Sequence, residues 1–445
     1  MSLLDRLRRS STPQVVVLGL SGVSATVIED EAMPTLSQLL ADGTATDSVL
    51  PPDEHAIWPA IMAGRNPGHT GVFGLVDREV GTYETYVPQG GDVQVPRLWD
   101  LLEATGRSST VLNVPVTNPP QKEIGQMVAG PLAPDEARSA HPEPVREYLE
   151  TSDYRVDVDA ELGPAGAIED LTADARATLD ARFDAFERFV TDGDWSLFLG
   201  CVTALDRASH FLYADYATDG PHADALRGLY ERLDERIGAF LEVIPEDAVV
   251  CVVGDHGFAP LDREVHCNRW LADTDWLEYG TADADSLADV ADGTRAYALP
   301  QGRFYLNLEG REPAGTVPEA EYETVRASLR AALESFTDPD GNPVIAAVYD
   351  RAELYDGPHL DLAPDLVAVP EPGYDLVANF TGPGPTFGDT PRTGMHTTTD
   401  VPLAIDDPAV DLTDATPFDL APTVLDLLEV SLPEGLSGQS RHTPE

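Results

Sequence analysis

Lysine is almost missing from this 445-residue chain: Lys122 alone among 28 basic residues, against 78 acidic ones, for a formal net charge of −50. A field of that sign repels polyanions, so nucleic acid is not expected as a partner. Cysteine is scarce too. Cys201, Cys251 and Cys267 are too few and too oddly counted for a disulfide framework. Cys201 and Cys251 lie in apolar strand-like runs, and all three read as reduced core residues. No window approaches 18 uncharged apolar residues, and the basic N-terminal MSLLDRLRRSS is followed by no apolar stretch, so neither stable membrane insertion nor export is expected. The LLDRL segment reads as a frayed terminus or a short amphipathic contact helix. Together these absences predict a soluble, cytoplasmic protein.

The chain nevertheless contains a core. Hydrophobic residues make up 42% of it, and runs such as VVVLGL, WSLFLGCV and AVVCVVG recur where a disordered acidic chain has none. The acidic residues are spread throughout rather than gathered in a tail. This composition resembles that of proteins from salt-loving archaea, in which a high-salt cytosol screens the self-repulsion.

The order of apolar patterns predicts an α/β fold. QVVVLGL (14–20) reads as a strand buried on both faces, followed by a helical pattern in MPTLSQLLADG that stops at Gly43. Helix then strand recurs at 97–104 and 109–116, at 171–191 and 195–203, and at 222–243 and 247–254. Such alternation predicts a mostly parallel sheet with helices on both faces, a three-layer α/β/α sandwich. Residues 136–170 read as a loop-rich excursion. Residues 263–344, with two tryptophans, an acidic low-complexity patch and a helix at 319–335, read as an inserted cap-like segment. The core is then expected to span 12–262 and 345–432, with NPVIAAVYD and APDLVAVP returning to its sheet and APTVLDLLEV closing the chain as a helix.

In open α/β sheets ligands bind beyond the carboxyl ends of the strands. Asp255 and His256 directly follow DAVVCVVG. Asp206 and His210 follow WSLFLGCVT, and i, i+4 spacing on a helix places both on one face. His396 lies in a late Gly-rich loop. Carboxylates and imidazoles brought from separate strand ends suit Zn²⁺ or Mn²⁺, although each pair alone is commonly a cap or a surface pair. His55, His69, His222, His266 and His359 have no such partners and read as structural or exposed. Upstream, PPDEHAIWPAIMAG has its own local logic: Asp53 is placed to cap a helix whose first turn holds Glu54, favoured there by the helix dipole.

Taken together, VVVLGLSG, MPTLSQLLADG, PPDEHAIWPAIMAGRNPGHTGVFG, LWDLLEATG, VLNVPVTNPP, the DxxxH, DHGF, DLAPDLV, the late Gly-x-His and DLAPTVLDLLE resemble the type I phosphodiesterase/nucleotide pyrophosphatase branch of the alkaline phosphatase superfamily. The resemblance implies two divalent metal ions, Zn²⁺ or Mn²⁺, at the strand ends and hydrolysis of a small phosphate-ester substrate through a covalent intermediate. Carried over, Asp206, His210 and His396 hold one metal. The second takes Asp255, His256, an aspartate after the first strand and the nucleophilic Thr or Ser. This chain departs from the family at the last two positions: the aspartate of GLDG is Ser21, and the nucleophile position is Glu54.

Two outcomes follow from those departures. Glu54 can replace the lost carboxylate, so that Asp255, His256 and Glu54 hold the second metal with water in an open position. Hydroxide then attacks directly, with Glu54 acting as base or, less simply, as a nucleophile. Alternatively the second site is degenerate, one metal remains, and the chain is a catalytically inactive paralogue that binds a phosphate compound or a protein partner. No cysteine or serine has the C/S-x-P-x-R setting of a sulfatase. Arg65, Arg207 and Arg392 lie beside motif residues and are candidates to clamp a substrate phosphate. Pairing with an abundant acid is their competing role. Trp58 reads as core.

Overall fold

The computed structural model describes residues 13–31, 33–41, 43–47, 53–133, 138–281, 284, 286–378, 380 and 384–443. The LLDRL segment and Pro51 and Pro52 lie outside the described residues. An eight-stranded sheet forms the centre, in the order Thr44–Thr46, Val401–Ile405, Val249–Gly254, Val15–Leu20, Leu197–Val202, Ser109–Val114, Gln126–Ala129 and Ala140–His141. The five strands from Val249–Gly254 to Gln126–Ala129 run parallel, and antiparallel strands flank them.

The period of two along the first strand splits the core into two layers. Val16, Leu18 and Leu20 point into a cluster with Phe183, Phe186, Phe198 and Phe240, formed under the helices Ile168–Asp192, Ala204–Thr218 and Ala223–Leu241. Val15 and Val17 point the other way, against Trp58, Ile61, Trp99 and Val424 from the helices Glu54–Ala63, Leu98–Glu103 and Leu420–Leu427. The result is the expected α/β/α arrangement. Cys201 and Cys251 lie in these layers and Cys267 in a third cluster, all as buried free thiols.

That third cluster belongs to a smaller unit built on the antiparallel sheet Ala296–Leu299, Arg303–Leu306, Leu366–Pro370, Ile345–Asp350, with the helix Tyr322–Glu334 packed on it through Val325, Leu329 and Leu333. The expected boundary at 344 is therefore corrected. NPVIAAVYD and APDLVAVP do not return to the main sheet but pair with each other and with Arg303–Leu306. A short apolar run carries no information about which distant strand it will pair with.

The strand Gly257–His266 leaves the main sheet, pairing in parallel with Gly373–Val377 and antiparallel with Gly394–Thr397. Its first residue directly follows the Asp255-His256 pair. The late glycine-rich segment is thereby brought back to the strand ends.

Candidate active site

Register builds the first half of the site. Val15–Leu20 and Val249–Gly254 are parallel neighbours with Leu20 opposite Gly254, so the next residues, Ser21 and Asp255, emerge side by side. Ser21 Oγ donates to Asp255 Oδ2 at 2.7 Å, and Trp58 Nε1 donates to the same oxygen at 2.8 Å. The backbone N–H groups of Gly22 and His256 donate to Oδ1 at 3.2 and 2.9 Å. Gly22 makes this turn at φ +72, where a side chain is strained. Trp58 is fully buried over Gly19, where a Cβ would stand 2.6 Å from its ring. Burial pushes the Asp255 carboxyl above its ordinary range, opposed by His256 and Ser21.

The second half converges on Asp206. The helix Ala204–Thr218 begins just beyond the strand Leu197–Val202, and its i, i+4 geometry holds His210 Nε2 3.7 Å from Asp206 Oδ1. Across the small ladder, Phe258 pairs with His396. His396 Nε2 therefore lies 3.0 Å from Asp206 Oδ1 and 3.1 Å from His210 Nε2. The His256 ring stacks on His396 at 3.6 Å, with its Nε2 3.6 Å from Asp206 Oδ1. Asp206, His256 and His396 offer ligand atoms within 4.8 Å of one another.

Tautomers follow from the outer hydrogen bonds. Nδ1 of His256 faces the Gly257 carbonyl at 3.1 Å, and Nδ1 of His210 faces that of Gly394 at 3.3 Å. A carbonyl accepts only, so each Nδ1 carries the proton and each Nε2 presents a lone pair. Burial lowers the pKa of both rings, that of His210 to about 3. His256 Nε2 is buried without a hydrogen-bond partner. Burial pushes Asp206 up, but Arg207, His210 and His396 hold its carboxyl well below the ordinary range. Imidazole nitrogens and a carboxylate converging in a buried volume are a set that could hold a divalent cation.

Glu54 opens the helix Glu54–Ala63, capped by Asp53, whose carboxylate accepts from His55 N at 3.0 Å and from Leu75 N at 3.0 Å. Its side chain meets Arg207: Nη2 donates to Glu54 Oε1 at 3.0 Å, Nη1 to Asp206 Oδ2 at 2.5 Å and Nε to Asp157 Oδ2 at 2.9 Å. Asp157 is itself fixed by Thr203 Oγ1 at 3.1 Å. Burial is the largest influence on the Glu54 carboxyl and raises its pKa, but Arg207, His55 and His396 together bring it below its usual range. Glu54 Oε2 remains buried with no hydrogen-bond partner.

Of the expected second ligand set, His256 Nε2 lies 3.5 Å from Asp255 Oδ2 as well as 3.6 Å from Asp206 Oδ1, but Glu54 does not join them. Glu54 turns to a guanidinium, Asp255 is saturated by protein donors, and His256 stacks into the Asp206 group. Arg65 and Arg392 also do not reach into the site. Arg65 donates to the Gly435 and Glu434 carbonyls, where it ties down the C-terminal segment. Arg392 pairs with Glu264 and Asp375. Arg207 alone of the three stands among the site residues. Asp157, from the 136–170 excursion, was missed, because an aspartate in an irregular segment carries no periodicity to mark it.

Residues 15–398 match the family model described as type I phosphodiesterase/nucleotide pyrophosphatase. The chain belongs to this family. Its sequence finds no match among curated proteins, whereas its fold matches solved structures over nearly its whole length. Murine ectonucleotide pyrophosphatase/phosphodiesterase 5, solved in an inactive form in complex with AMP, is 13% identical with a TM-score of 0.56, covering 96% of this chain and 97% of its own. Phosphonoacetate hydrolase from Sinorhizobium meliloti, in complex with phosphonoformate, is 16% identical with a TM-score of 0.58, covering 94% and 96%. Wild-type alkaline phosphatase PafA is 13% identical with a TM-score of 0.59, covering 97% and 99%. At these identities the likeness establishes the shared alkaline-phosphatase-like fold. Among the described residues no helix is long and apolar enough to cross a membrane.

Proposed function

We propose that this family member is a metal-dependent phosphate-ester hydrolase whose divalent ion, Zn²⁺ or Mn²⁺, is held by Asp206, His210, His256 and His396. The observation that carries the reading is the convergence of the His210, His256 and His396 Nε2 atoms on Asp206 Oδ1, with His256 Nε2 buried and without a hydrogen-bond partner. When bound, the ion supplies Lewis-acid activation of the phosphoryl group and of water. Glu54 Oε2, buried and without a donor, orients the attacking water and takes its proton. Its low basicity, which Arg207 imposes together with His55 and His396, is partly offset by how closely it is held. The N–H groups of Arg207 not already bound face the anionic substrate and stabilise the charge that builds on it. Small phosphate compounds fit this reading, and relatives of the same fold are seen with AMP and with phosphonoformate.

A second reading is a non-catalytic binder of phosphate compounds. One observation favours it: a mutually neutralising Glu54–Arg207 pair stands where the family keeps a nucleophilic hydroxyl. Hydrolysis of a chromogenic phosphodiester and of the matching monoester, in molar KCl with Zn²⁺ or Mn²⁺, separates the two. Turnover abolished by a chelator and restored by metal supports the hydrolase. Saturable phosphate binding by metal-loaded protein without turnover supports the binder.

A further inference from the structure

The second of the family's two metal positions does not suit a cation in this chain. Trp58 has an N–H and no acceptor, so its 2.8 Å contact uses a lone pair of Asp255 Oδ2 in one direction only. Ser21 adds a second donor to that oxygen, and two backbone N–H groups take Oδ1. A carboxylate saturated in this way has little left to give a metal. The guanidinium of Arg207, charged at every accessible pH, lies between Glu54 and Asp206 and is braced from behind by Asp157. Asp206 is its neighbour in sequence, whereas Glu54 and Asp157 come from distant parts of the chain, and the three together fix its position.

We infer that the Arg207 guanidinium stands in for the second metal ion, so that the protein binds one divalent cation per chain. The inference rests on the single-site reading above. A fixed monovalent cation about 3 Å from Glu54 and Asp206 supplies the charge those carboxylates need. Its positive charge also repels a second divalent ion placed beside the same carboxylates. It cannot exchange with solvent, so this half of the site stays assembled when metal is scarce.

The test is metal content after equilibration of the full chain with excess Zn²⁺ or Mn²⁺ in molar KCl and removal of free ion by gel filtration. One equivalent is expected, with the Mn²⁺-loaded protein giving the electron paramagnetic resonance spectrum of an isolated ion. Arg207→Ala, with near-ultraviolet circular dichroism matching the parent, should rise to two equivalents, because Glu54, Asp206 Oδ2 and Asp157 are released together. Arg207→Lys should remain at one. Two equivalents in the parent, or an exchange-coupled Mn²⁺ pair, overturns the inference and leaves the hydrolase reading standing. A folded Arg207→Ala protein that stays at one also overturns it. No bound metal in the parent overturns both.

Discussion

Arg303 offers the sharpest test of how the smaller unit holds the site in place. It is 1% exposed, and it donates to Asp77 Oδ1 at 2.6 Å, to the Val76 carbonyl at 2.7 Å and to the Pro300 carbonyl at 2.9 Å. Asp77 is buried as well, and its other oxygen accepts from Phe73 N at 2.9 Å. Arg303→Met keeps most of the volume but strands a buried carboxylate, a change that costs about 3–5 kcal/mol. Adding Asp77→Asn removes the stranded charge while keeping an acceptor for Phe73 N, so the double variant should recover at least about 1 kcal/mol relative to the sum of the singles. Burial raises the Asp77 pKa even with Arg303 beside it, and loss of Arg303 raises it further. The folded variant then binds a proton more tightly than the unfolded chain. The Asp77 contribution, read as the variant's stability relative to the parent, is therefore most favourable below the ordinary carboxylate range and is lost as pH rises through the elevated value.

Urea denaturation followed by circular dichroism in molar KCl, repeated across pH, measures each of these quantities. A penalty under about 1 kcal/mol, or strict additivity in the double variant, refutes the reasoning. The outcome bears on the site, because the loop that Arg303 holds presents Leu75 N to Asp53, the residue capping the Glu54 helix.

Gly19→Ala places a methyl 2.6 Å from Trp58 Cη2, and should cost about 1–3 kcal/mol with a red-shifted tryptophan emission as the indole is displaced; unchanged emission and melting temperature count against the packing described. Ser21→Ala removes one of the two side-chain donors to the buried Asp255 Oδ2 and should lower stability by about 1.5–3 kcal/mol, read from thermal melts. With a net charge of −50, the chain should fold cooperatively in molar KCl and lose structure in dilute buffer, and a melting temperature constant across that range contradicts the salt-adapted reading.

The parts of this molecule readable from sequence are those with local causes. Continuous apolar runs marked the central strands because both faces of a parallel sheet are covered. The DxxxH spacing placed Asp206 and His210 on one helical face because 3.6 residues make a turn. Asp53 was legible as a cap, and the departures at Ser21 and Glu54 were visible once the motif order was in view. What distant segments do to one another was not legible. Ile345–Asp350 and Leu366–Pro370 look like core strands yet build the smaller sheet, since hydrophobicity specifies burial and not the partner. The role of Glu54 was likewise undecided by its position. Only the tertiary structure turned Arg207 toward it, braced by an aspartate some fifty residues away in sequence, because charge pairing in a buried volume depends on which side chains share that space and not on their order along the chain.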